Sequence, residues 1–414
     1  MIFPRIAAFS RIYKREAKIG GFLSALVLSG IATGLYRGVQ DKFLAEIVQI
    51  DAFGRGVTEF FRELPGLLVV LFLAWMYRSS ENRIYKTGIG LTLAGLVGLG
   101  LAGFLPAAFF PGTAGKVAVI SLMVLYSCGE HIIMPVRSTI SLELAQKDKG
   151  GASLGITSAL MHGGNIIGFF VITGAFMAFS RTGIAILAQF RIAYAAATFL
   201  MLGSLLAFMA IKDSGKTVKR QRFYFSKKFN KYYMLQIFYG ARKQVFMTFG
   251  PYVLILNYSA DTSSISLLLA ISAVCSSVLS PLIGKLIDHV GYKAVMVGDT
   301  LILIVVCFFY GFAHRLFPAH IAFYIVCINY ILDAIISIGS MASSVYVQDI
   351  ADSQEEITAT ISTGISVDHL ISILIALFGG FIWKIAGIEL LFSISAFLGL
   401  LNSLYAASIK VPKR

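Results

Sequence analysis

Charge is what this chain has least of. Only 14% of its 414 residues are Asp, Glu, Lys or Arg, against about 25% in an ordinary soluble protein. With 57% hydrophobic residues beside that shortage, a soluble globular domain is excluded. Cysteine is scarce as well. Cys128, Cys275, Cys307 and Cys327 all fall inside apolar segments without zinc-site spacing, so they read as small buried core residues and no metal is expected. There is no Walker sequence, hence no sign of ATP-driven pumping, and no zinc-protease pattern. Gly98-Leu-Gly100-Leu-Ala-Gly103 fits a dinucleotide fingerprint but has no strand before it, and close helix packing accounts for it better. Gly151-Ala-Ser153-Leu-Gly155 fits a hydrolase elbow but lacks the strand–turn–helix setting. No nucleophile and base stand at a credible spacing. The chain is not expected to be an enzyme or to carry a cofactor.

What the chain has in plenty is long apolar runs, each able to cross a hydrocarbon core about 30 Å thick. Twelve spans are expected, at 19–47, 56–77, 85–109, 116–142, 151–179, 185–211, 232–257, 263–287, 292–313, 319–347, 357–383 and 387–409. The fold class is therefore an all-α membrane protein. An even count puts both termini on one side of the bilayer.

The net charge of +14 is gathered in the N-terminal tail (Arg5, Arg11, Lys14, Arg15, Lys18), a central stretch (Lys212 to Lys231) and the C-terminal tip (Lys410, Lys413, Arg414). The opposite loops hold few cations: Arg55, Lys116, Arg181, Arg315 and Lys384. That asymmetry is the positive-inside pattern and argues against nucleic acid as a partner. Both termini are expected to be cytoplasmic, in a bacterial inner membrane. Residues 1–18 are basic and amphipathic and run into the first apolar segment with no convincing cleavage site, so no cleavable signal peptide is expected.

The basic stretch 212–231 is the only long connection. It divides the spans six and six, giving an N-terminal six-helix bundle over 1–211 and a C-terminal one over 232–414. The halves echo each other at an offset of about 203–204. STISLELAQ and GITSALMHGGN in the first half parallel MASSVYVQD and TISTGISVDH in the second, and Asp41 falls opposite Gln244. Parallel repeats of six spans are a recognised transporter architecture.

Between spans eight and nine lies Gly284-Lys-Leu-Ile-Asp288-His-Val-Gly291-Tyr-Lys293. It resembles the loop motif G-x-x-x-D-R-x-G-R-K of the major facilitator superfamily, as does the 6+6 layout. His289 and Tyr292 depart from the motif, and the first-half loop Met76-Tyr-Arg-Ser-Ser-Glu81-Asn-Arg83 has lost the Gly and the Asp. The resemblance implies two six-helix bundles rocking about a site at mid-membrane. It also implies a gating role for the motif, with Asp288 pairing or capping at the bundle interface and Gly284 and Gly291 allowing close approach.

Ionised groups at bilayer depth are costly and usually face water or a partner. On one face of the first span, Arg37, Gln40 and Asp41 are neighbours, and Arg37 can pair with Asp41; Lys42 and Glu46 form a second pair. Arg242, Lys243 and Gln244 interrupt the seventh span with no acid in that span. Their counter-anions are either acids of other spans or an anionic solute, for which Arg has a fitting fork. Asp41, Glu130, Asp333, Asp368 and His369 are coupling candidates, able to take and release a proton or simply to pair with a cation. Asp299 is a further lone acid. His162 and Asn165 complete the substrate-binding candidates. Arg62-Glu63 and Arg137 read as charges near the membrane interfaces.

The expected function is secondary active transport of a small anionic organic solute by alternating access, coupled to H⁺ rather than Na⁺. The placement of Arg37, Arg242 and His162 is similar to that of the phosphate-gripping residues in the organophosphate/phosphate antiporters of that superfamily. An exporter of amphipathic or lipophilic compounds is the alternative; it is decided by whether Arg242 and Lys243 face the cavity or are sealed by Asp333 or Asp368. The expected partners are a small-molecule solute, a coupling ion and the bilayer, with the chain acting as a monomer.

Overall fold

The computed structural model describes residues 12–14, 19–76, 78–211, 215 and 224–409. Much of the basic charge of the tails and linker lies outside them, including Arg5, Arg11, Arg15, Lys18, Lys212, Lys216, Lys219, Arg220, Arg222, Lys410, Lys413 and Arg414.

The described chain is nearly all helical. Its helices are α1 (Ile19–Glu46), α2 (Ala52–Trp75), α3 (Glu81–Ala102), α4 (Thr113–Leu144), α5 (Gly150–Phe179), α6 (Ile186–Met209), α7 (Asn230–Tyr258), α8 (Thr262–Val290), α9 (Tyr292–Leu316), α10 (Ala319–Ile336), α11 (Met341–Ile350) and α12 (Gln354–Ala407). Polar side chains cap several starts. Ser80 accepts from the Arg83 amide at 3.3 Å, Asp261 from Ser264 at 2.8 Å and Ser353 from Glu356 at 3.2 Å.

Among the described residues, nine helical segments are long and apolar enough to cross a membrane, α10 and α11 counting as one. The chain is an integral membrane protein. Large apolar side chains such as Trp75, Phe199, Val278 and Leu301 stand exposed, as lipid contact allows. Helices α2 and α7 are long enough to span, but they carry the buried charges described below.

Three expected spans depart from the prediction. The tenth is interrupted by a 3-10 turn at Ser337–Ser340. The eleventh and twelfth run on as α12, whose 54 residues would extend about 80 Å at 1.5 Å per residue. A single crossing needs far less, and the break is one residue, Gly387, at φ 82°. Only glycine takes that conformation without strain, so one residue replaces the expected loop.

The chain forms two compact units, one of residues 1–43 and 68–220, the other of residues 44–67 and 221–414. The first unit packs through aromatic contacts. Tyr36 and Tyr126 lie 4.0 Å apart between centroids, and Phe43 meets Phe190 and Tyr194 edge-on. Helices α1 and α5 cross closely. A Cβ at Gly30 would lie 2.7 Å from the Met161 carbonyl, and one at Gly34 would overlap the Asn165 carbonyl.

In the second unit Phe246, Tyr310 and Phe392 form a mutually packed triad with centroids 4.8–5.1 Å apart. The first half of α2 crosses α12 so tightly that a Cβ at Gly56 would overlap the Ala376 carbonyl. Lys228, before α7, donates to Asp352 at 2.6 Å and to Glu356 at 3.2 Å. These bonds, that to Asp352 foremost, hold its ammonium above the ordinary lysine pKa.

Gly34→Ala and Gly56→Ala should each lower the thermal unfolding midpoint of the purified protein, with overpacking costs of about 1–3 kcal/mol. Gly174→Ala, where a Cβ would meet nothing within 4 Å, should stay within about 0.5 kcal/mol of the parent. Equal midpoints for all three would contradict the close crossings.

Candidate functional site

In the first unit, side chains of α1, α3, α4, α5 and α6 enclose a cavity of about 180 Å³. Four expected site residues line it: Arg37, Glu130, His162 and Asn165. Arg37 reaches from α1 to α4 and donates from Nη2 to Glu130 Oε1 at 2.6 Å. The two side chains are 43% and 20% exposed. An exposed guanidinium midway along a membrane helix must meet water rather than lipid, so this cavity is wet.

Arg137, two residues after Pro135 on α4, also lines the cavity, half-buried. Among the described residues it has no carboxylate partner. Tyr126 donates to Thr33 Oγ1 at 3.2 Å on the same wall. The Oδ1 of Asn165 is buried without a hydrogen-bond partner. Gln40 and Asp41, neighbours of Arg37 in sequence, are buried and do not line this cavity.

The second unit holds a larger buried network, built on the first half of α2. Glu59 is buried between Arg55, whose Nη1 donates at 2.7 Å, and Arg62, which donates at 2.6 and 2.9 Å. Arg62 also donates to Glu63. Gln244 on α7 donates to Glu59 Oε1 at 3.1 Å and to Thr248 Oγ1 at 2.8 Å. On α12, His369 Nδ1 lies 3.0 Å from Glu63 Oε2, and the neighbouring Asp368 accepts from Lys243 at 2.5 Å. Three cations (Arg55, Arg62, Lys243) meet three carboxylates (Glu59, Glu63, Asp368), with His369 against Glu63.

Arg242 lies apart from that network. It is 1% exposed. Its Nη1 is 3.8 Å from Asp299 Oδ2, and its guanidinium lies 5.2 Å from the Tyr239 ring centroid. Asp333 is within electrostatic reach of the same guanidinium, yet Nη1 and Nη2 make no hydrogen bond. One buried cation thus faces two carboxyl groups. Arg242 and Lys243, the two cations midway along α7, therefore have acids of their own unit: Asp368 for Lys243, Asp299 and Asp333 for Arg242.

The loop motif runs from the end of α8 into α9. Gly291 turns the chain at φ 85°, a conformation that favours glycine. Lys293 donates to the Ile409 carbonyl at 3.0 Å, and Lys231 donates to Ser408 O at 2.6 Å, so two cations meet the carbonyl end of α12, where positive charge is favourable. Gly284 and the exposed Asp288 line a groove of about 520 Å³ with Met341, Ser344 and Gln348.

Sequence reasoning missed the α2 network. Arg55 reads as a loop residue and Arg62-Glu63 as interfacial, yet Arg55, Glu59 and Glu63 are all buried. The signal was present: positions 55, 59, 62 and 63 are three and four apart and share one helix face. Arg137 and Asp299 stand out in the sequence as charges in apolar spans, but no local pattern places Arg137 in a cavity with Glu130 or Asp299 beside Arg242.

The family description "Major Facilitator Superfamily" matches residues 232–414. No curated protein matches the sequence. The fold is similar to the solved nucleoside transporter NupG, with TM-score 0.70 and 14% identity over 93% of this chain and 96% of that one. It is similar to a D-xylose-proton symporter, with TM-score 0.72 and 15% identity over 94% and 97%. A bacterial homologue of the iron transporter ferroportin, in an inward-facing state, gives TM-score 0.72 and 13% identity over 93% and 97%. At these identities the likeness is one of fold.

Removing the buried Glu59 carboxylate takes an ion pair from both Arg55 and Arg62, so Glu59→Gln should destabilise the protein by about 3–5 kcal/mol. Glu130→Gln breaks a half-exposed pair and should cost about 1 kcal/mol or less. Chemical or thermal unfolding in detergent reads both, and an equal loss would show that the Glu59 network is not the buried cluster described.

Proposed function

We propose that this chain is a secondary transporter of the major facilitator superfamily, whose description matches residues 232–414, and that it moves a small organic anion with protons driving the movement. The polar site would open to either side of the membrane in turn, in a bacterial inner membrane with both termini cytoplasmic.

The observation that carries this reading is the charge of the first-unit cavity. Arg37 and Arg137 line it with one carboxylate, Glu130, which pairs with Arg37, so its lining holds one cation more than it holds anions. A wet cavity with a surplus guanidinium suits a carboxylate or phosphate. Arg242 and Lys243 are held by acids of their own unit, the outcome that speaks for the exporter of amphipathic or lipophilic compounds; the anion reading therefore stands on Arg37 and Arg137 alone, with His162 and Asn165 as hydrogen-bonding partners.

Proton coupling is supported by the second unit. One proton taken up at Asp299 or Asp333 would make the Arg242 set neutral. Asp368 and His369, held by Lys243 and Glu63, are the second place where a proton can alter an ion pair. Buried carboxyl groups balanced between burial and a cation are suited to such exchange.

Reconstitution in liposomes loaded with a pH-sensitive dye tests the proposal. Adding transported solute should change internal pH in step with its uptake. Asp333→Asn should keep solute exchange while losing accumulation driven by a pH gradient. If Asp299→Asn, Asp333→Asn, Asp368→Asn and His369→Gln all retain the parental pH dependence, protons are not the coupling ion.

A further inference from the structure

The first-unit cavity restricts its solute more narrowly than "small anion". Resting on the transport reading above, we propose that this cavity selects a hydroxy-monocarboxylate with a short aliphatic skeleton of about six to nine heavy atoms.

Charge is the first restriction. Arg37 and Arg137 against Glu130 leave one positive charge, counting His162 as a neutral hydrogen-bonding ring. A monoanion brings the set to zero. A dicarboxylate or a phosphate dianion leaves an uncompensated negative charge, and a zwitterionic amino acid leaves the positive one; neither is favourable in a site partly removed from water.

The second restriction is a missing donor. Asn165 lines the cavity, and its Oδ1 is buried without a hydrogen-bond partner. A buried acceptor left unmatched is costly, so the fitting solute brings a donor to it. A carboxylate has none, whereas a hydroxyl on the same molecule does, and it leaves the charge unchanged.

Size and wall chemistry supply the third. The cavity is about 180 Å³, little more than the roughly 150 Å³ that accepts a benzene ring. Ile89, Ile133, Met134, Met161 and Met201 form its apolar wall, and methionine adapts to irregular aliphatic shapes.

The test is calorimetric binding to the purified full-length protein. The panel is 2-hydroxy-3-methylbutanoate, its deoxy analogue 3-methylbutanoate, valine, succinate and inorganic phosphate. The hydroxy acid should bind at least about tenfold more tightly than each of the others. Arg137→Gln should weaken it by a similar factor. Asn165→Leu should erase the preference for the hydroxy acid over its deoxy analogue while leaving the weaker affinity for the latter in place.

Equal binding of the hydroxy and deoxy acids by the parent protein, tighter binding of succinate, phosphate or valine, or no binding by any of the five would overturn the proposal. Should Arg137→Gln fail to fold, the parent panel and Asn165→Leu still decide. The two readings fail separately. pH-driven uptake of another solute class would sink this inference and leave proton-coupled transport standing. A hydroxy acid that binds without moving protons would do the reverse.

Discussion

The ion pairs of Glu59 with Arg55 and Arg62 are the interaction on which the second unit depends. Two guanidiniums cannot stay in a helix of membrane length without a buried counter-anion. Once Glu59 supplies it, the first half of α2 has a reason to pack inside the unit, and Gly56 lets it approach α12 closely. That crossing brings Glu63 to His369 and Gln244 to Glu59. The polar arrangement of α7 and α12 therefore follows from a charge requirement on α2.

The two units meet related demands with different means. In the first, α1 and α5 cross through Gly30, Gly34, Gly164 and Gly168, with backbones in near contact. About 204 residues later the corresponding place on α12 is Asp368, and a Cβ at Gly240 would lie 2.5 Å from its Oδ1. Arg37 faces Glu130 in the first unit, and Arg242, at nearly the same offset, faces Asp299 and Asp333 in the second. The first pair is half-exposed around a cavity and the second is sealed. A wet guanidinium can exchange a protein carboxylate for a solute at little cost; a sealed one holds its partners and suits a group that only gains or loses a proton.

Some of the candidate site was legible before any coordinates. Arg37, His162 and Asn165 stood out as polar residues in apolar spans, and they share a cavity with Glu130. Lys243 had no acid in its own helix and finds Asp368 on another. The α2 cluster escaped because a short segment with four charges reads as a membrane boundary when only hydropathy is weighed. Its spacing of three and four residues was visible, but whether that face meets water or protein depends on what packs against it. Asp41 shows the converse: a neighbour of Arg37 on the helix, it lies buried off the cavity, while Arg37 reaches across to α4.

By itself, the sequence determined that this is a helical membrane protein, because runs of apolar residues leave the backbone no other way to satisfy its hydrogen bonds in lipid. It determined also which side chains would be costly there. Only the tertiary structure decided how each was compensated: Arg242 by Asp299 and Asp333, Lys243 by Asp368, Glu59 by two arginines, and Arg137 by no carboxylate among the described residues. The reason is physical. The cost of a buried charge is a property of one residue and its surroundings in the chain, but its compensation depends on distances of a few ångströms between helices far apart in sequence.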